Sequence, residues 1–217
     1  MNEEMKPHVK MTQEAYRKTA EAWHADHADK EFVWWKKGTD AFVDLLPEGG
    51  TVLDVGCGGG TKMRYMREGP KKLQVTGVDV TPEFLAIVNR EQPGVTTYLA
   101  DMHRLRDEVP GEYDGVYASA SLLHVMKEDA DDVLKQFAVK LKPGGYLHVS
   151  VKGMREDGIE EADITEQEYG TNTRRFSFYT MNELKERLER AGLSVVYDYA
   201  EQVGRSNWLQ IIGRKAI

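Results

Sequence analysis

The sequence predicts an α/β fold, a doubly wound and mostly parallel sheet with an antiparallel strand at its C-terminal edge. Three observations predict it. Five apolar, β-prone runs alternate with helical patterns between residues 51 and 151, the order that builds a parallel sheet with helices on both faces. Three of these runs end at or near a carboxylate, Asp54, Asp79 and Asp101, and in such sheets ligands bind beyond the carboxyl ends of the strands. Two further β-prone runs with a short connection close the chain, which suits an antiparallel pair.

The elements follow in order. The first ten residues are polar and read as a frayed start. Residues 12–29 suit a helix with Thr12 as N-cap and Tyr16, Thr19 and Trp23 on a partly apolar face. Phe32, Val33, Trp34 and Trp35 form an apolar knot before a second helix over 36–46. Adjacent tryptophans cannot share a helix face, so one belongs to the core and the other can line a cleft. The strand 51–55 enters a turn with glycines at 56, 58, 59 and 60, and a helix over 61–68 follows with Met63 and Met66 inward. Residues 73–79 alternate as a second strand; Thr81 and Pro82 open a helix carrying Phe84, Leu85, Ile87 and Val88, which stops before Pro93-Gly94. Strands are expected at 95–99, 113–119 and 146–151, the last preceded by a helix over 127–141 and the turn Lys142-Pro143-Gly144-Gly145. Residues 152–175 are charged, carry Gly153, Gly158 and Gly170, show no sustained period, and read as a long loop over the rim of a site. Thr180 caps a last helix, and strands at 193–199 and 208–214 end the chain.

The 217 residues suit one α/β domain, with 41% hydrophobic and 30% charged residues giving an ordinary core. A net charge of −7 counts against nucleic acid as a partner. The single cysteine, Cys57, excludes an intramolecular disulfide and a multi-cysteine zinc site. No run of 18 apolar residues and no signal-type N-terminus is present, so no membrane partner and a cytoplasmic location are expected. His24 and His27 lie three residues apart without an accompanying carboxylate or cysteine set, so no metal is expected.

The glycine turn asks for a ligand that approaches main-chain N–H groups closely. A dinucleotide fingerprint would need a third glycine where Thr61 stands; the chain has instead Asp54-x-Gly56-x-Gly58-x-Gly60. In this motif the sequence resembles the class I S-adenosylmethionine-dependent methyltransferases of small-molecule type. Lys140-Leu-Lys142-Pro143-Gly144-Gly145 and Tyr113-Asp114-Gly115-Val116 are similar to further stretches of that family. The resemblance covers residues 40–151 best. It implies a Rossmann-like, seven-stranded single domain over 1–217, with an N-terminal helical lid segment over 1–46, a core over 47–217, and a rim insertion near 152–178.

It also implies S-adenosyl-L-methionine as cofactor and S-adenosyl-L-homocysteine as product. Asp79 would take both ribose hydroxyls, since an ionised carboxylate offers four lone-pair sites. Asp101 would meet the adenine amino group, with the Met102 N–H on the ring and Val80 on its face. Gly56, Cys57, Gly58 and Gly60 would contact the cofactor, Ala118 and Ser119 would line the methyl-bearing region, and Tyr16 would close over the cofactor. Asp54 either touches the ligand or only holds the glycine turn. Cys57 reads as a small buried residue and not a nucleophile.

His124, after the fourth strand, is the candidate general base. Trp34, Trp35, His124, Arg175 and Tyr179 are the candidate acceptor residues, and the pair Arg174 and Arg175, if it faces the acceptor, would suit a carboxylate or phosphate. The expected reaction is in-line methyl transfer to a small molecule, with a protein or tRNA acceptor disfavoured by the acidic balance. A nicotinamide-dependent oxidoreductase and a non-catalytic S-adenosylmethionine-binding module are the competing readings, and monomer and homodimer both remain open.

Overall fold

A computed structural model describes residues 5–28 and 34–217. Phe32 and Val33 of the expected apolar knot lie outside the described residues. The elements run α1 (Pro7–Ala28), α2 (Lys36–Leu45), β1 (Thr51–Val55), α3 (Thr61–Glu68), β2 (Gln74–Asp79), α4 (Pro82–Glu91), β3 (Thr97–Leu99), α5 (Leu105–Glu108), β4 (Tyr113–Ser119), α6 (Lys127–Val139), β5 (Leu141–Lys152), β6 (Glu161–Glu166), β7 (Asn172–Ser177), α7 (Met181–Arg190), β8 (Leu193–Val203) and β9 (Ser206–Lys215).

Seven strands form one sheet in the order β3-β2-β1-β4-β5-β9-β8. The pairs β1–β2, β2–β3, β1–β4 and β4–β5 are parallel. β9 is wedged between β5 and β8 and pairs antiparallel with both. The chain steps outward from β1 to β3, then returns to lay β4 on the other side of β1. The crevice above β1 and β4 is therefore the switch point where α/β sheets bind ligands.

Each strand feeds two cores, because successive side chains point to opposite faces. Leu53, Val55, Val116 and Ala118 join Phe137, Leu141 and Leu147 on one face. Val52 and Tyr117 join Phe42, Leu46, Met63 and Met66 on the other. α2 belongs to this second layer: Phe42 is fully buried, and its ring meets that of Tyr117 at 5.5 Å.

Two local expectations are corrected. α1 starts at Pro7, five residues before Thr12, as a proline suits a first helical turn. The Thr12 hydroxyl consequently caps nothing and accepts the Arg175 N–H at 3.2 Å. The segment expected as a loop contains the β6–β7 hairpin, with six registered pairs from Glu161–Ser177 to Glu166–Asn172. Its strand period is carried by polar cross-strand pairs and so is invisible to a hydrophobicity reading. Asp163 and Arg175 face each other at 2.8 Å, the Thr165 and Thr173 hydroxyls meet at 2.9 Å, and Arg174 pairs with Glu166. The hairpin packs on α1. At α7 the expectation holds: the Thr180 hydroxyl accepts the Glu183 N–H at 3.1 Å.

Candidate functional site

A cavity of ≈ 340 Å³ opens above the carboxyl ends of β1, β2 and β4, within the size range of small-molecule sites. Its floor is the turn after β1. The Val78 carbonyl accepts the Gly56 and Cys57 N–H groups at 2.7 and 3.0 Å, which ties this turn to β2. Gly56 has φ +74, and a Cβ there would collide with the Ser121 side chain, whose hydroxyl donates to the Val55 carbonyl at 2.7 Å. Both constraints require glycine. α1 roofs the same turn so closely that a Cβ on Gly59 would strike the His24 ring.

Asp79 ends β2 beside this turn, 8% exposed. Its Oδ2 accepts the Gly58 N–H at 2.9 Å and its Oδ1 accepts the Thr81 N–H at 2.8 Å. Thr81 itself makes no side-chain cap bond, so Asp79 serves the start of α4 as well as the glycine turn. Burial raises its pKa, and the backbone donors only partly offset this. Beyond these two short bonds the Thr81 side chain and the Val80 N–H also approach the carboxylate, whose two oxygens offer four lone-pair sites in all. At Asp101 burial acts upward too, but the His103 side chain and N–H, both donating to Oδ1 at 2.7 and 3.0 Å, hold it below the usual carboxylate range.

The roof and far wall carry a polar chain. The Gln13 side-chain amide donates to the Val80 carbonyl at 2.5 Å. His124 Nδ1 lies 2.7 Å from the Arg175 carbonyl, which can only accept, so Nδ1 carries the proton and Nε2 accepts. The Tyr16 hydroxyl, 3.0 Å from Nε2, is therefore the donor, and Arg174 donates to the Tyr16 oxygen at 2.6 Å. Burial pushes the Tyr16 phenol up and lowers His124 to about 3. The order Arg174 to Tyr16 to His124 thus has one hydrogen-bond direction, with a neutral imidazole. Beyond it, Trp34 stacks on Trp208 at 3.7 Å, and the Lys152 ammonium lies 4.6 Å from the Phe176 ring centre. Burial, with Arg174 and Arg155 adding to it, lowers the Lys152 pKa.

Of the residues expected at a site, Tyr16, Trp34, Trp35, Gly56, Cys57, Gly58, Asp79, Val80, Asp101, Met102, Ser119 and His124 line the cavity. Five do not. Asp54 is 2% exposed and lies below the turn, where burial raises its pKa and the Lys62 ammonium opposes that rise. Gly60, at φ +81, serves the entry into α3. Ala118 points into the core because β4 alternates, leaving Ser119 and Ala120 on the wall. Arg175 turns outward to Asp163, since alternation along β7 sends Arg174 inward. Tyr179 is fully buried in the core. Cys57 is buried with its thiol pushed up, as suits an inert residue.

Sequence reasoning missed Gln13, Lys62, Ala120, Lys152 and Trp208. Lys152 had a readable signal, a polar residue closing an apolar strand. Ala120 had none: its φ of +56 is a strained backbone on the cavity wall.

A family model described as "Methyltransferase domain" matches residues 52–145. The ubiquinone biosynthesis O-methyltransferase of Xanthomonas axonopodis pv. citri is 36% identical over 110 residues, 49% of this chain and 44% of that protein. The chain thus spans less than half the length of this curated relative. Among solved structures, the 1,6-didemethyltoxoflavin-N1-methyltransferase of Burkholderia thailandensis, with bound 1,6-didemethyltoxoflavin and S-adenosylhomocysteine, superposes with a TM-score of 0.74 at 18% identity, covering 100% of this chain and 94% of that one. The [4+2]-cyclase SpnF superposes with a TM-score of 0.73 at 18% identity, covering 99% and 98%. Residues 52–145 match the methyltransferase-domain model, and the chain as a whole takes the fold of the class I S-adenosylmethionine-dependent methyltransferases.

Proposed function

We propose that this protein transfers a methyl group from S-adenosylmethionine to a small, planar acceptor that carries an acidic O–H or N–H. The observation that carries the reading is Asp79: a buried carboxylate at the end of β2, pinned by two backbone N–H groups and keeping acceptor capacity toward the cavity. A ribose diol supplies the two donors such a carboxylate lacks. Asp101 keeps Oδ2 clear of the two His103 bonds, in reach of an exocyclic amine. The glycine turn lets a ligand's charged end meet the main chain. When bound, the cofactor supplies an electrophilic methyl group on a sulfonium.

The far wall supports the acceptor class. The stacked Trp34 and Trp208 with Phe176 offer flat apolar surface, and Lys152 and Arg174 offer positive charge. They would hold an acceptor already ionised or close to it, so that proximity and exclusion of water accelerate the transfer. His124 fits a positioning role better than that of a base. Its Nε2 is occupied by Tyr16, and a conjugate-acid pKa of about 3 makes proton uptake near neutrality cost roughly 5 kcal/mol. The relatives' printed activities, on ubiquinone biosynthesis and didemethyltoxoflavin, support the small-molecule reading. SpnF, a cyclase on the same fold, means the fold alone does not carry methyl transfer.

The test is a thermal-shift panel followed by turnover. S-adenosylhomocysteine should stabilise the protein and NAD(P)H should not, which separates this reading from a nicotinamide-dependent one. S-adenosylhomocysteine formation should then appear with some member of a set of phenols and acidic N-heterocycles. Cofactor binding with no turnover on any acceptor would favour the non-catalytic module.

A further inference from the structure

His8 in the first turn of α1, His103 after β3 and Asp129 in α6 converge next to the cofactor cavity. Their ligand-type atoms all lie within 4.8 Å of one another. His8 Nε2 is 4.0 Å and His103 Nε2 3.8 Å from Asp129 Oδ2. All three atoms are buried and have no hydrogen-bond partner. The surroundings orient all three. His103 Nδ1 faces the Asp101 carboxylate at 2.7 Å, so Nδ1 carries a proton, and in the neutral ring Nε2 presents a lone pair. The other oxygen of Asp129 takes the Lys6 ammonium at 2.5 Å, leaving Oδ2 as an anionic acceptor. His8 is 8% exposed, with Nε2 turned toward the same point. The three atoms face one another without a hydrogen bond, and leaving buried polar atoms unpaired costs about 1–3 kcal/mol each.

We propose that His8, His103 and Asp129 bind a divalent first-row transition ion, Zn²⁺ by donor set, with a fourth position open to water. Atoms spaced this way lie no more than roughly 2.5 Å from a common point, against about 2.0–2.2 Å for zinc bound to imidazole or carboxylate. A contraction of a few tenths of an ångström completes the site. The Asp101–His103 pair has the form of the carboxylate–histidine–metal arrangement that fixes ring orientation and raises ligand basicity. The three ligands come from three separate elements, so the ion fastens the first turn of α1 to the core beside the cavity. Asp101 belongs both to the cavity wall and to the metal's surroundings.

The proposal is tested on the full-length, tag-free chain stripped with a chelator. Titration with Zn²⁺ should show one ion per chain, and a hundredfold excess over the dissociation constant should raise Tm by about 5–10 °C. Co²⁺ should give the visible absorption of a four-coordinate N/O site. His8→Ala and Asp129→Asn should abolish the Tm gain and the Co²⁺ spectrum, while Asp132→Asn, also in α6 and outside the cluster, should keep both. Asp101→Asn should weaken Zn²⁺ binding by about 10–100-fold. Each variant's metal-free Tm, set against that of the metal-free parent, shows that it is folded. No stoichiometric Zn²⁺ in the parent, or equal binding by the parent and either folded ligand variant, overturns the proposal.

Discussion

The floor and the roof of the cavity hold their residues by different means. On the floor, Gly56, Asp79 and Ser119 sit on or just past strands in one parallel sheet, tied by main-chain bonds such as those from the Gly56 and Cys57 N–H groups to Val78. On the roof, α1 meets the rest of the site through side-chain bonds between residues 67 to 163 positions apart, among them Gln13 to the Val80 carbonyl, Tyr16 to His124, Arg174 to Tyr16, and the Arg175 N–H to Thr12. The sheet fixes the floor through its main-chain ladder, whereas the roof is held by side chains alone, these polar bonds and the packing of Tyr16, Ala20 and Trp23 on Phe84 and Ile87 of α4. Cofactor affinity should therefore belong to the floor, and turnover and acceptor choice to the roof.

Asp79→Ala strikes the floor hardest. It removes a charged acceptor and strands the Gly58 and Thr81 N–H groups, so S-adenosylhomocysteine affinity should fall about 100-fold or more by calorimetry. Unchanged affinity would refute the ribose role. Tyr16→Phe deletes the middle of the roof chain and leaves Arg174 and His124 Nε2 without their shared partner. Turnover should drop about 10–100-fold while S-adenosylhomocysteine affinity moves about threefold at most; a larger loss of affinity would erase the division between floor and roof.

Arg174→Ala and Arg175→Ala sharpen the comparison within the hairpin. The first should raise the acceptor KM by about tenfold, the second by less than about twofold, because only Arg174 faces the cavity. Equal effects would mean that the alternation along β7 does not sort the two.

The pH dependence comes next. His124 and His148 are both lowered to about 3 by burial, while an unfolded histidine titrates near 6.5. Between these values the unfolded chain binds protons that the folded chain does not, so stability is complete above about pH 6.5 and falls as pH drops toward 3. Asp54 and Asp79, raised by burial, act in the opposite sense and flatten the curve. His148→Gln, at a residue that does not line the cavity, should reduce the slope of unfolding free energy between pH 4 and 6 by up to about 1.4 kcal/mol per pH unit. An unaltered slope would mean that His148 titrates normally. The smallest effect is expected from Thr180→Ala, about 1 kcal/mol, or roughly 2–4 °C in Tm.

The same division decides what could be read from the sequence. β1, β2 and β4 are continuous apolar runs because both their faces are covered, and their ends announce Asp79 and Ser119 directly. Ala118 was misplaced by one residue, since the sequence shows where β4 ends but not which face each position takes. Arg175 fell to the same one-residue ambiguity in a hairpin whose period is polar. His8, His103 and Asp129 were illegible for another reason: each sits on a different element, and only the packing of α1 against the core brings them together. His24 and His27, which lie close in sequence and carry no ligand set there, have separate partners in the fold, with His24 bonded to Glu91 at 3.0 Å and His27 stacked on Trp23 at 4.0 Å.

The stack of Trp34 on Trp208 has an optical consequence. The chain contains four tryptophans, and all of them, Trp23, Trp34, Trp35 and Trp208, line the cavity. Excited at wavelengths that tyrosine does not absorb, the protein's own emission then comes from the site alone. A bound adenine ring or a flat acceptor would alter that light with no background from the remainder of the fold, so a label-free titration reads both ligands on the native chain.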